Sequence, residues 1–271
     1  MKKLLKYDIE ILGFLFFIFL QIFIVLLLIG SIDVILVYLL ITNFIIIVSI
    51  IDSTQRFKTE IREESVSDED KHIYFYNQTI LPLTLFFSTE AFLIINKFNF
   101  AVSEIVFLVS LGLFISSLNY FEAYYEVFEF SKKAHYTINA VKLFIFFLTT
   151  YTLFQISEII KISYYTTGIF VFLLSFSLLL MIMQRHKLYK FINVIYSTLI
   201  SIFIAIIAFL GLLFVNNALL TAFSISLIFY FFENVIQHKI EGTLTKEILT
   251  EYLLIILIMI LLTKGIAAIY L

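Results

Sequence analysis

Five polar residues recur at three- and four-residue intervals in this chain: Asn119, Glu122, Glu126, Glu129 and Lys133. At about 100° per residue they occupy a stripe roughly 80° wide on one helical face. Tyr120, Phe121, Tyr124, Tyr125 and Phe128 fill the remainder. Three carboxylates on successive turns repel one another and hold protons more tightly unless a cation neutralises them. The stripe therefore reads in two ways: a solvated helix end with a Glu129–Lys133 pair at i, i+4, or a face that handles a divalent cation or a proton.

A second pair of charges falls inside apolar runs. Glu90 and Lys264 lie at similar depth in two separate hydrophobic stretches. An unpaired charge in hydrocarbon costs at least about 3 kcal/mol, so each must be neutral, paired or turned to a polar cavity. The expectation is an ion pair between them, with Gln21 and Asn43, also near the middle of apolar stretches, available to join it. Interhelical polar packing or a snorkelling lysine is the simpler alternative. A third set, Asp52, Glu60, Asp68, Glu69 and Asp70, lies on one long polar connection and offers a cation or diphosphate loop. The same connection also reads as an interfacial amphipathic helix, with Ser67 spaced from Asp70 as in a helix-starting capping box.

Other chemistries lack their residues. With no Cys, disulfides, thiolate metal sites and Cys nucleophiles are excluded. There is no His-x-x-x-His pair, no Gly-x-Ser-x-Gly elbow and no Gly-rich phosphate loop. A net charge of −2 gives no basic field for nucleic acid.

The elements that position these residues follow from composition. Of 271 residues 62% are hydrophobic and only 14% charged, and the mean hydropathy is +1.07. A soluble domain of this length has no interior large enough to hide that surface. The chain is expected to be a single integral membrane domain, residues 1–271, an all-α polytopic helical bundle. A hydrocarbon core about 30 Å thick takes about 20 residues per helix. Nine runs qualify, near 9–29, 33–51, 79–96, 102–120, 138–158, 164–183, 191–215, 218–237 and 250–270. The first is too long, and lacks the small-residue site, for a cleaved signal peptide, so it reads as a retained anchor.

With the N-terminus inside, all but three of the 18 Lys and Arg residues fall in cytoplasmic segments, the exceptions being Lys97, Lys161 and Lys264. The positive-inside rule then sets nine spans, N-in and C-out, in a cell membrane. All four His residues, His72, His135, His186 and His238, fall on the same side. In the absence of Trp, the tyrosines near that boundary supply the aromatic belt. The single proline, Pro82, stands in the first turns of the third span. No matched Gly- or Pro-broken pair marks a repeat-type transporter.

Two functional classes follow. The first is a non-enzymatic protein that binds or transports a small cation, proton or amphipathic molecule through the bundle. The second comes from a resemblance. Nine spans, a long cytoplasmic loop after the second, minimal outer turns, and the stretch Leu118 to Lys133 running through aromatics to a Lys pair together resemble the UbiA-type intramembrane prenyltransferases. That resemblance implies a prenyltransferase-like fold acting on lipid at the cytoplasmic interface, with magnesium and a prenyl diphosphate held by acidic motifs on the loops after spans two and six. The sequence departs from both motifs. The first loop has Asp52 and Glu60 eight apart with Arg56 between them, and the second, Gln184 to Lys190, has no acid. The resemblance therefore implies a divergent or inactive member, or one that recruits the Glu122 stripe. Partner subunits are not identified by any motif.

Overall fold

The structure is a computed structural model that describes residues 2–61, 79–96, 99–127, 132–185, 191–214, 217–240, 242–254 and 257. Eight long helices follow in order: α1 (Lys2–Ile29), α2 (Ile32–Ile61), α3 (Leu81–Ile95), α4 (Phe100–Val127), α5 (Lys132–Ile160), α6 (Tyr164–Arg185), α7 (Phe191–Phe214) and α8 (Ala218–Ile240). A ninth, α9, covers 246–254, and there is no strand among the described residues. The all-α bundle expected from the sequence is what forms. Six of the described helices are long and apolar enough to cross a membrane, and two shorter apolar helices, Leu81–Ile95 and Tyr164–Leu180, lie among them. The ninth expected span falls mostly outside the described residues.

Helix boundaries have local causes. Asn99 and Asn217 cap α4 and α8, each accepting a backbone N–H three residues on, from Val102 at 3.3 Å and Leu220 at 3.1 Å. Thr245 does the same for α9 through Ile248. Pro82 stands in the first turn of α3, where its missing N–H costs no helical hydrogen bond. Helix α2 runs past its apolar part to Ile61, as the Phe57–Ile61 spacing predicts. Between α5 and α6 the chain turns through Lys161 at φ 56°, and the Ile162 N–H donates back to the Ser157 carbonyl at 3.2 Å, closing a left-handed helix end.

The described residues form two compact units, Met1–Ile145 and Phe146–Leu271. In the first, α1, α2, α3 and α4 pack on one another. Phe16 is fully buried there, its ring 5.4 Å from Phe86 edge-on and 4.4 Å from Phe114. Helix α3 is the most enclosed element, nine of its 15 residues being buried. In the second unit α6, α7 and α8 pack together, and Phe146 of α5 stacks on Phe229 of α8 with centroids 4.4 Å apart. The outward faces remain apolar: Leu40, Phe44, Ile105, Leu173 and Leu199 are more than half exposed, as lipid contact requires.

Glycine is required at two close approaches, at Gly30, where a Cβ would stand 2.6 Å from the Leu26 carbonyl oxygen, and at Gly211. A Cβ on Gly211 would stand 2.6 Å from Thr221 Cγ2, whereas one on Gly112 would meet nothing within 4 Å. We predict that Gly211→Ala destabilises the protein by about 1–3 kcal/mol through overpacking. Gly112→Ala is neutral or stabilising by up to about 1 kcal/mol, because alanine is the better helix former. Thermal unfolding of the two variants in detergent checks the contrast.

Candidate functional site

The polar residues of the first unit are organised by helix geometry around α3. Its hydroxyls are first held within the helix: Thr84 Oγ1 donates to the Ile80 carbonyl at 2.7 Å and Ser88 Oγ to the Thr84 carbonyl at 2.6 Å. Thr89 Oγ1 lies 2.8 Å from the Leu85 carbonyl and 2.9 Å from Ser110 Oγ of α4, and its single proton serves one acceptor at a time. Ser110 donates in turn to the Val106 carbonyl at 2.7 Å. One turn of α4 and one of α3 are thus joined by a hydroxyl chain that needs no water.

Glu90 follows Thr89 and is 4% exposed. It lies within reach of the Asn43 side chain on α2. Asn43 Oδ1 is buried and has no hydrogen-bond partner among the described residues. Tyr38, also on α2, lies within electrostatic reach of Glu90. Its hydroxyl donates to the Phe19 carbonyl of α1 at 2.7 Å, and its ring stacks on Phe23. Thr42 donates to the Tyr38 carbonyl at 2.9 Å. An acid on α3 and an amide and a phenol on α2 are therefore near one another.

A second carboxylate lies nearer the α3–α4 turn. Gln21 Nε2 of α1 donates to Glu104 Oε2 of α4 at 3.3 Å. The Thr89–Ser110 and Ser103–Asn96 hydrogen bonds set α3 and α4 antiparallel. In that register Glu104 stands about five residues, roughly 7.5 Å, beyond Glu90 toward the turn.

Of the residues singled out from sequence, Asn43 is near Glu90, and Gln21 donates to Glu104. Lys264 lies outside the described residues, as do Asp68, Asp70 and Glu129. Asn119, Glu122 and Glu126 occupy the last turns of α4 at the spacing of one face, and Lys133 belongs to the first turn of α5. Asp52 is exposed on α2, and Glu60 is in the last turn of that helix. Among the described residues no three His, Asp or Glu side chains gather as metal ligands.

Tyr38 and Glu104 were not anticipated. The signal for Tyr38 is a phenol in mid-span, whose hydroxyl needs a partner when buried. Lys142, which sequence grouped with a cytoplasmic segment, is 1% exposed within α5, and Glu233 of α8 is fully buried. At the end of α8, His238 Nδ1 is 2.8 Å from Thr243 Oγ1 and Nε2 is 3.4 Å from the Tyr252 hydroxyl. Lys239 Nζ sits 4.3 Å from the centre of the Tyr196 ring. A groove of about 340 Å³ between α6 and α7, lined by Tyr164, Tyr165, Gly168, Phe172, Ala205 and Phe209 among others, is wholly apolar at its surface. It has no polar group to orient a ligand.

No protein-family model matches the sequence, and no curated protein or solved structure matches it.

The hydroxyl chain makes a quantitative prediction. Thr89→Val and Ser110→Ala are expected to couple by about 0.6 kcal/mol, the usual size of an interhelical hydrogen bond in membrane proteins. A double-mutant cycle on unfolding in mixed micelles measures it, and additive losses would show that the bond contributes nothing.

Proposed function

We propose that this is a multi-pass protein of the cell membrane, nine spans with its N-terminus inside, that binds and moves a small cation, a proton foremost. The observation that carries the reading is Glu90, a carboxyl group 4% exposed in an apolar helix. Ionisable groups at such positions are expensive, and they mark ion or proton pathways. Glu104, closer to the turn and hydrogen-bonded by Gln21, supplies a second station in the same unit. The acidic residues at the end of α4 give the opposite mouth a negative potential that concentrates cations.

The prenyltransferase-like alternative gains no support from the described carboxylates. A diphosphate–magnesium site needs several acids converging on the metal; Asp52 is exposed, and among the described residues no three His, Asp or Glu side chains gather as metal ligands.

Reconstitution into liposomes loaded with a pH-sensitive dye tests the proposal. Under an imposed membrane potential the wild-type chain is expected to pass protons well above the protein-free rate. Glu90→Gln brings the rate down to that background, and Glu122→Gln lowers it by severalfold at most. Wild-type vesicles indistinguishable from empty ones, or a Glu90→Gln variant as fast as wild type, would overturn the reading.

A further inference from the structure

The apolar groove of the second unit has a direction and a mouth. Its lining on α6 runs from Tyr164 to Phe172, a rise of roughly 12 Å along the helix axis. One leaflet's hydrocarbon is about 15 Å deep, half of a core about 30 Å thick. The groove therefore follows the path of a lipid chain, from the α5–α6 turn toward mid-membrane. Its floor is made of small residues where the two helices approach: a Cβ on Gly168 would stand 3.8 Å from the Ala205 carbonyl oxygen. Larger groups wall it in. The Tyr165 ring stacks on Phe209 with centroids 5.1 Å apart, and Ile169 and Ile206, each more than half exposed, carry the groove out onto the lipid-facing surface.

The mouth is set by the α5–α6 turn. Ser157 Oγ donates to the Ile162 carbonyl at 3.2 Å, and Thr167 Oγ1 donates to Ser157 Oγ at 3.2 Å, so the turn is tied to both helices. Tyr164 and Tyr165 are exposed at its α6 side, where amphipathic rings mark the headgroup level. Lys161, exposed in the turn itself, stands three residues before Tyr164, within about 11 Å of it along the chain, and carries its ammonium on a flexible four-carbon stem. Glu158, also exposed, is the opposing charge at this end and lies a turn further back, on α5.

We propose that this groove and its mouth bind one phospholipid of net negative charge, with an acyl chain along the groove and the phosphate against the Lys161 ammonium. A volume of about 340 Å³ is at the low end for small-molecule cavities, and it takes a single chain rather than the body of a lipid. The apolar lining that leaves a polar ligand unheld suits hydrocarbon, which needs no oriented partner. Lipid tails are as apolar as leucine, so the chain gains packing against the ring walls and no dehydration. Selection among lipids then falls on the headgroup, where one lysine near the membrane surface is worth about fivefold in affinity. The site is independent of Glu90 and of cation movement.

Native mass spectrometry of the full chain in detergent, titrated with long-chain phosphatidylglycerol or phosphatidylcholine, tests the site. One phosphatidylglycerol is expected to bind ahead of all others, with phosphatidylcholine weaker by about fivefold. Lys161→Gln removes that difference and Glu158→Gln widens it. Ala205→Phe, which puts a ring in the groove, weakens both lipids by an order of magnitude. Dihexanoyl phosphatidylglycerol has the same headgroup on chains too short to run the groove, and it should bind the wild-type chain an order of magnitude more weakly than the long-chain lipid. That comparison needs no substitution and decides the matter even where Ala205→Phe fails to fold. Equal binding of the two long-chain lipids to the wild-type chain, or short-chain binding as tight as long-chain, would overturn the proposal.

Discussion

Hydrocarbon supplies no water, so every polar group placed inside it must find its partner within the protein. Many hydroxyls of the described helices meet this constraint within their own helix. Thr42, Thr54, Thr84, Ser88, Ser110, Thr150, Ser175, Thr198 and Ser226 each return their hydroxyl to a backbone carbonyl four residues earlier. A serine or threonine treated in this way behaves as a small apolar residue that has kept one acceptor free. That remaining acceptor is where helices are joined: Ser110 takes Thr89, Thr54 and Thr79 share a proton across 25 residues of sequence, and Ser157 takes Thr167.

Some larger polar groups also turn back on their own helix, as Asn96 and Asn234 do on the Phe92 and Tyr230 carbonyls, whereas others reach across to a neighbouring helix. Tyr38 reaches from α2 to a carbonyl of α1, and Gln21 from α1 to Glu104 on α4. Helix α3 is only 15 residues long, about 22 Å at 1.5 Å per residue, less than a bilayer core. It is stable because α1, α2 and α4 enclose it, and this enclosure is also what makes an acid at position 90 tolerable. The same short, enclosed helix thus holds the buried carboxyl group of Glu90.

Much of this was legible in the sequence, because period and composition are local. The apolar runs located eight of the nine described helices, Pro82 marked a helix start, and the two asparagines in the outer turns became caps. Glu90 and Asn43 were both legible as polar residues near the middle of apolar stretches, while the expected Glu90–Lys264 pair falls on a residue outside the described ones. What could not be read was direction. Gln21 and Asn43 look alike in one dimension, and only the register of α1 against α4 sends Gln21 to Glu104. Lys142 looked cytoplasmic because it closes a basic segment, yet it lies five residues inside the stretch Thr137–Ile160 and is buried. Hydropathy counts residues and does not report which way a helix faces.

The central claim is that α3 is buried among helices at membrane depth while α2 presents its apolar face to lipid. The chain has no Cys, so single spin-labelled cysteines can be introduced without altering others. Collision with dissolved oxygen, which concentrates in lipid, and with a water-soluble nickel chelate should be measured in bilayers at positions 40 and 44 and at 88 and 93. The account predicts high oxygen access at Leu40 and Phe44, low oxygen access at Ser88 and Leu93, and little nickel access at any of them. Strong nickel access at Leu40 and Phe44, or oxygen access at Ser88 and Leu93 equal to theirs, would contradict it.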